Sequence, residues 1–198
     1  MGLDSVALVV DVEKHFDISI SNKEAEKIYT VQDFADCVFT KVTLHPSRKC
    51  RSQILFYQFR SFLVDKFGIE KERITLDTKL KDLILFEDLR TTWKQIETSL
   101  LVKLPELSQL DFDPALERDI RFLGLKFWTR KTPVTDGTVK KLVDWTLSLN
   151  HVTFIDPKNL CNRTDIERIV IGIISESCGI PVDEIKLSHS ITDDLGVD

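Results

Sequence analysis

Ser5 is the one serine in an Asp-Ser-Val context beside a helix start, in the run Asp4-Ser5-Val6. A hydroxyl placed there is suited to a phosphate ester. The first backbone N–H groups of a helix lack internal partners, and the positive end of the macrodipole favours negative charge. Little other chemistry is legible. The chain has no G-x-S-x-G run, no cysteine–histidine pairing and no glycine-rich phosphate loop. His15 fits no triad and reads as a solvent-facing helix histidine. Cys37, Cys50, Cys161 and Cys178 are scattered without a C-x-x-C pair and read as free thiols, not metal ligands. No catalytic residue is assigned, and the chain is expected not to be an enzyme.

The 198 residues suffice for one large domain or two small ones, and 42% hydrophobic with 30% charged residues is a globular balance. No apolar run reaches the ~18 residues of a membrane span, and Asp4 and Asp11 interrupt any signal-peptide pattern at the front. A cytoplasmic protein without a membrane partner is expected. The net charge of −5 conceals a split. Residues 1–43 hold eight acids and four bases, and residues 162–198 eight acids and three bases, around a mildly basic middle. Nothing concentrates positive charge on one face, so no nucleic-acid partner is expected.

Helical spacing of Leu3, Val6, Leu8, Val9, Val10, Val12 and Phe16 predicts a helix over 3–16. Ser21 with Glu24 forms a capping-box signature before a short helix over 22–28, and Thr30 caps a third over 31–42. Helices this short need a partner to cover their apolar faces. After a linker at 41–50, helices are predicted over 53–67, 86–102 and 138–149. Residues 107–131 are less regular, and Val152–Ile155 reads as loop. A second linker spans 156–162. Thr164 is then expected to cap a helix over 165–178, closed by Gly179.

The last segment resembles the first half of an acyl carrier protein: a capped helix, Gly179-Ile180, then a long loop ending in Asp193-Asp194-Leu195-Gly196-Val197-Asp198. The first segment resembles the second half, above all in Glu24-Ala-Glu-Lys-Ile-Tyr-Thr-Val-Gln-Asp33. The resemblance implies an all-α, four-helix carrier domain built from residues 1–43 and 162–198 in circularly permuted order. Residues 50–155 are a weaker echo, with Gly68-Ile69 matching Gly179-Ile180 and Thr138-Val139 matching Thr30-Val31. They are expected to form a second, divergent carrier-like domain. Glu87 stands there where the family has its serine, so this domain should bear no arm.

The family's serine carries 4′-phosphopantetheine, a flexible thiol arm that holds acyl groups as thioesters. Two registers place it here. In one, Ser5 bears the arm, and the helix after it is three residues short. In the other no residue is lost, Gly2 occupies the serine position and Leu3-Asp4 follow it. The second keeps the apolar residues on one stripe, whereas losing three residues turns the face by about 60°. The resemblance implies that Asp194 and Asp198 flank the site, with Asp4 beside Ser5. The resemblance also implies partner enzymes: a phosphopantetheinyl transferase, and acyl-transferring or condensing enzymes of fatty-acid or secondary-metabolite synthesis. These would be met through Asp11, Glu13, Glu24 and Glu26. The alternative is a non-carrying interaction protein of the same fold. Closure within one chain or a domain-swapped dimer both remain open, and in a monomer Met1 and Asp198 should lie close together.

Overall fold

The computed structural model describes residues 3–45, 50–113, 115–116, 119–122, 125–129 and 131–197. They are mostly helical, and they divide into two compact units: Met1–Ile54 with Asp144–Asp198, and Leu55–Val143.

The first unit holds α1 (Leu3–Phe16), α2 (Asn22–Ala25), α3 (Val31–Phe39), α7 (His151–Phe154) and α8 (Arg163–Cys178). Its centre is α8. The side-chain oxygen of Asn162 accepts from the Asp165 amide and starts the helix. The cap is therefore Asn162 and not Thr164. Ile166, Ile169, Val170, Ile173 and Ile174 recur at helical spacing, and each is at most 5% exposed. At roughly 1.5–3 kcal/mol for each fully buried aliphatic side chain, this stripe is the unit's main apolar anchor. Gly179 ends the helix in the left-handed region (φ 68°), which a residue without Cβ adopts at no steric cost. Helices α1 and α3 both pack on α8. The core so formed joins Leu8, Val12, Phe16, Val31, Phe34 and Val38 from the front of the chain to Ile185, Ile191 and Val197 from its end.

Backbone hydrogen bonds tie the same two ends. Thr30 and Ser190 form an antiparallel bridge. The Val31 amide donates to His189 O (3.1 Å), Gln32 to Leu187 O (2.8 Å), and Ile191 to Tyr29 O (2.9 Å). Thr30 also caps α3: its Oγ1 accepts from the Asp33 amide, and Asp33 Oδ2 accepts from the Thr30 amide.

The second unit is built around α5 (Leu89–Leu100), with most of α4 (Arg51–Phe67) and the first turns of α6 (Val139–Leu149). Trp93 anchors α5, its indole N–H donating to Pro105 O at 2.9 Å. Here Lys79 bridges Thr138, and the amides of Val139, Lys140 and Leu80 donate to Thr78, Leu76 and Gly137.

Several expectations change. The stretch 107–131 contains an antiparallel hairpin, β1 (Asp119–Phe122) with β2 (Leu125–Thr129), so the protein is not purely helical. Val152–Ile155 is not a loop: residues 151–154 form α7, started by the Phe154 and Thr153 amides donating to Asn150 O. Helices α2 and α3 stop short of the spans predicted for them, at Ala25 and Phe39. The unit boundaries fall within α4 and α6, not in the expected linkers, because Ile155 and Leu160 are buried in the first unit's core and Trp145 and Leu149 pack against it.

Candidate functional site

Ser5 is the third residue of α1, half-buried in its first turn. It lines a cavity of about 410 Å³ in the first unit, together with Leu8, Val9, Ala25, Glu26, Ile28, Tyr29, Phe34, Ile191 and Thr192. A second cavity of about 390 Å³ is lined by Val6, Val9, Val10, Glu13, Ile20, Asn22, Ala25 and Glu26. Val9, Ala25 and Glu26 belong to both walls.

These cavities follow from how α1 packs. Only part of the predicted apolar set is buried. Leu8, Val12 and Phe16 face the core, four residues apart, while Val6 is 48% exposed. The helix carries more apolar residues than one stripe needs, and Val6, Val9 and Val10 form cavity wall instead. The short α2 brings Ala25 opposite. A small side chain at this position, 6% exposed, leaves room that a larger one would fill.

The acids have distinct places. Asp4 is exposed in the first turn of α1, where negative charge suits the helix dipole. Burial, then the charge of Asp4, raises the Cys178 thiol above its ordinary range. Asp194 holds its own turn, its Oδ2 accepting from the Ser190 amide at 2.8 Å. Asp198, Gly2 and Met1 lie outside the described residues, so the flank expected from Asp198, the Gly2 register and the closeness of the termini fall outside the description.

Three of the four acids expected to meet partners also serve the unit itself. Asp11 accepts from the Ser177 hydroxyl at 3.0 Å. Glu13 accepts from the Ile20 amide at 2.6 Å. Glu24 accepts from the amide and hydroxyl of Ser21 and pairs with Lys41 at 2.6 Å. The Lys41 hydrogen bond, then those from Ser21, hold the Glu24 carboxyl at about 2. Glu26 is exposed at the cavity wall. Glu13, Glu26 and Ser5 thus share the α1–α2 surface, and Glu24 is directed to α3's end.

In the second unit, the hydrogen-bond register matches Leu80 to Ile191. Glu87 and Asp88 immediately precede α5. Both are carboxylates, and neither supplies a hydroxyl.

Sequence reasoning missed Tyr29, Ile28 and Thr192 as cavity residues. The surplus of valines in α1 was the available signal. Among the described residues no group of three His, Cys, Asp or Glu side chains is placed to hold a metal ion, and no helix is long and apolar enough to cross a membrane.

No protein-family model matches the chain, and no solved structure matches it. Curated proteins do. The acyl carrier protein of Buchnera aphidicola subsp. Acyrthosiphon pisum (strain 5A) is 51% identical over 40 residues, 20% of this chain and 50% of that protein. The acyl carrier protein of Thermosynechococcus vestitus (strain NIES-2133 / IAM M-273 / BP-1) is 48% identical over 41 residues, 21% of this chain and 51% of that protein. The chain spans about half the length of the curated relatives it matches, and the likeness supports an acyl-carrier-like region within it.

Proposed function

We propose that the first unit is a non-enzymatic acyl carrier module, a permuted carrier domain whose sequence is interrupted by a second, divergent one. The observation that carries this reading is the apolar cavity with Ser5 in its wall. Leu8, Val9, Ile28, Phe34 and Ile191 offer an acyl chain a water-poor lining, and each CH₂ moved there from water is worth about 0.8 kcal/mol. That gain grows with chain length, as a carrier of reactive thioesters requires.

Ser5 fits 4′-phosphopantetheine by its place: a hydroxyl in the first turn of a 14-residue helix, beside the cavity that the acyl chain would enter. When attached, the group supplies a thiol that holds the acyl chain as a thioester. The chain's own residues do the rest. The α1 N-terminus favours the phosphodiester charge, and Glu26 is an exposed acid for a transferase or a condensing enzyme to grip. The second unit, with carboxylates at the matching place, carries no arm. The module works in the cytoplasm, where coenzyme A and its transferases are available.

A second reading, a non-carrying interaction protein, is favoured by one feature. Ser5 is half-buried within the helix turn and not at its cap. Incubation with coenzyme A and a phosphopantetheinyl transferase separates the two. The carrier reading expects the intact mass to rise by one phosphopantetheinyl group. An unchanged mass, with an ordinary acyl carrier protein modified in the same tube, leaves the interaction reading.

A further inference from the structure

His15, next to last in α1, and His151, the first residue of α7, bring their ring centroids to 5.1 Å with planes at 53°. Both belong to the first unit. His151 is 1% exposed, and its Nδ1 lies 2.9 Å from the carbonyl oxygen of Ser148. A carbonyl only accepts, so Nδ1 carries the hydrogen and the neutral ring has its lone pair on Nε2. The ring is also fixed in place. A Cβ on Gly172 of α8 would fall 2.3 Å from Nδ1 and 2.4 Å from Ser148 O, so α8's backbone presses directly on it. His15 Nε2 is buried and has no hydrogen-bond partner among the described residues.

The surroundings of His15 disfavour a second proton. From α7 it meets His151, and from α8 the exposed Glu176, the one acid acting in favour of charge. On α1 itself Lys14 is exposed, and Asp11 and Glu13 are engaged with Ser177 and Ile20. The Pro157–Asn159 turn packs against α1 and contributes Lys158, also exposed. Burial first, then His151, hold the His15 pKa below 6.5, with Glu176 opposing.

We propose that His15 and His151 form a proton-sensitive latch: their rings pack the C-terminal end of α1 against α7 and α8, and a proton on His15 opens that contact. A group whose folded pKa lies below its unfolded value binds fewer protons in the folded state. Stability contributed by the latch is therefore full above the unfolded value of 6.5 and falls as pH drops through it toward the lower folded value. The latch does not depend on what the α1–α2 cavity holds.

The test uses the full chain. His15 Cε1–H is followed by NMR from about pH 8 to about pH 5. Over the same range, amide exchange, corrected for its intrinsic pH dependence, is compared for Val12–Phe16 and for α3. His15 should titrate below 6.5, and protection of Val12–Phe16 should fall on acidification while α3 keeps its own. In His15→Gln and His15→Phe the loss of protection should shrink at least about twofold. Titration of His15 at or above 6.5 overturns the latch. So does protection of Val12–Phe16 that does not change, or that changes together with α3. If neither variant folds, the titration and exchange of the unsubstituted chain decide.

Discussion

Thr30 and Thr138 occupy the same place in two copies of one hydrogen-bond pattern. Each immediately precedes a helix, and each bridges antiparallel to a residue closing an irregular loop, Ser190 or Lys79. The amide after each threonine donates to the carbonyl before its partner, at 3.1 and 2.9 Å, and the next amide donates two residues further back, at 2.8 and 2.9 Å. The hydroxyls act alike too, Thr30 Oγ1 accepting from Asp33 and Thr138 Oγ1 from Lys141. In one copy the partners come from opposite ends of the chain; in the other they come from its middle. The repeat is thus a repeat of backbone wiring, with side chains free to diverge around it.

A long connection joins α5 to α6 in the second unit. Asp111 organises that connection. It is 3% exposed, and its carboxylate accepts from the Ser108 amide and hydroxyl, the Val134 amide, and the Thr135 amide and hydroxyl, at 2.6–3.1 Å. Burial pushes its carboxyl up, but the Thr135 and Ser108 donors outweigh it and hold the pKa low. Asp111→Ala would strand those donors, and is expected to cost roughly 2–4 kcal/mol. The measurement is a urea midpoint for the second unit. A change under about 0.5 kcal/mol would contradict the assignment.

Gly172→Ala is expected to be severe for a different reason. The added methyl meets His151 and the Ser148 carbonyl well inside van der Waals contact, and one of these is backbone. Overpacking of this kind costs about 1–3 kcal/mol or more. A thermal midpoint equal to that of the unsubstituted chain would show that α8 and α7 have slack that the structure denies them.

Glu24 sets an acid-side dependence of the first unit. Its folded pKa of about 2 lies below the ordinary 4.5, so its contribution is present above 4.5 and is lost as pH falls toward 2. Glu24→Gln should flatten the fall of the unfolding midpoint in that window and leave neutral pH little changed. Because the Glu24–Lys41 pair is partly exposed, added salt should weaken the effect. An acid profile identical in the variant would contradict the capping role.

Much of this architecture was legible in the residues. Thr30, Gly68 and Gly179 mark helix ends through local chemistry, and Ile166 to Ile174 announce a buried face by spacing alone. The Thr138–Val139 echo of Thr30–Val31 was visible for the same reason, since caps are set within a few residues. What was not legible depends on partners far along the chain. Nothing in the sequence around Asp111 names Thr135 as its donor. Val6 and Leu8 are both in the apolar set, but only Leu8 is buried, because α8 decides which side of α1 is covered. His15 read as solvent-facing, yet its ring meets His151 across the α1–α7 contact. Ser5 and the acids were singled out by type, whereas the cavity around Ser5 required the fold.

The most direct test of the carrier reading is the mass of the peptide containing Ser5 after treatment with coenzyme A and a phosphopantetheinyl transferase. The account predicts one phosphopantetheinyl group on Ser5 and none in Ser5→Ala. An unmodified Ser5 peptide beside a fully modified control carrier, or modification that persists in Ser5→Ala, would contradict it.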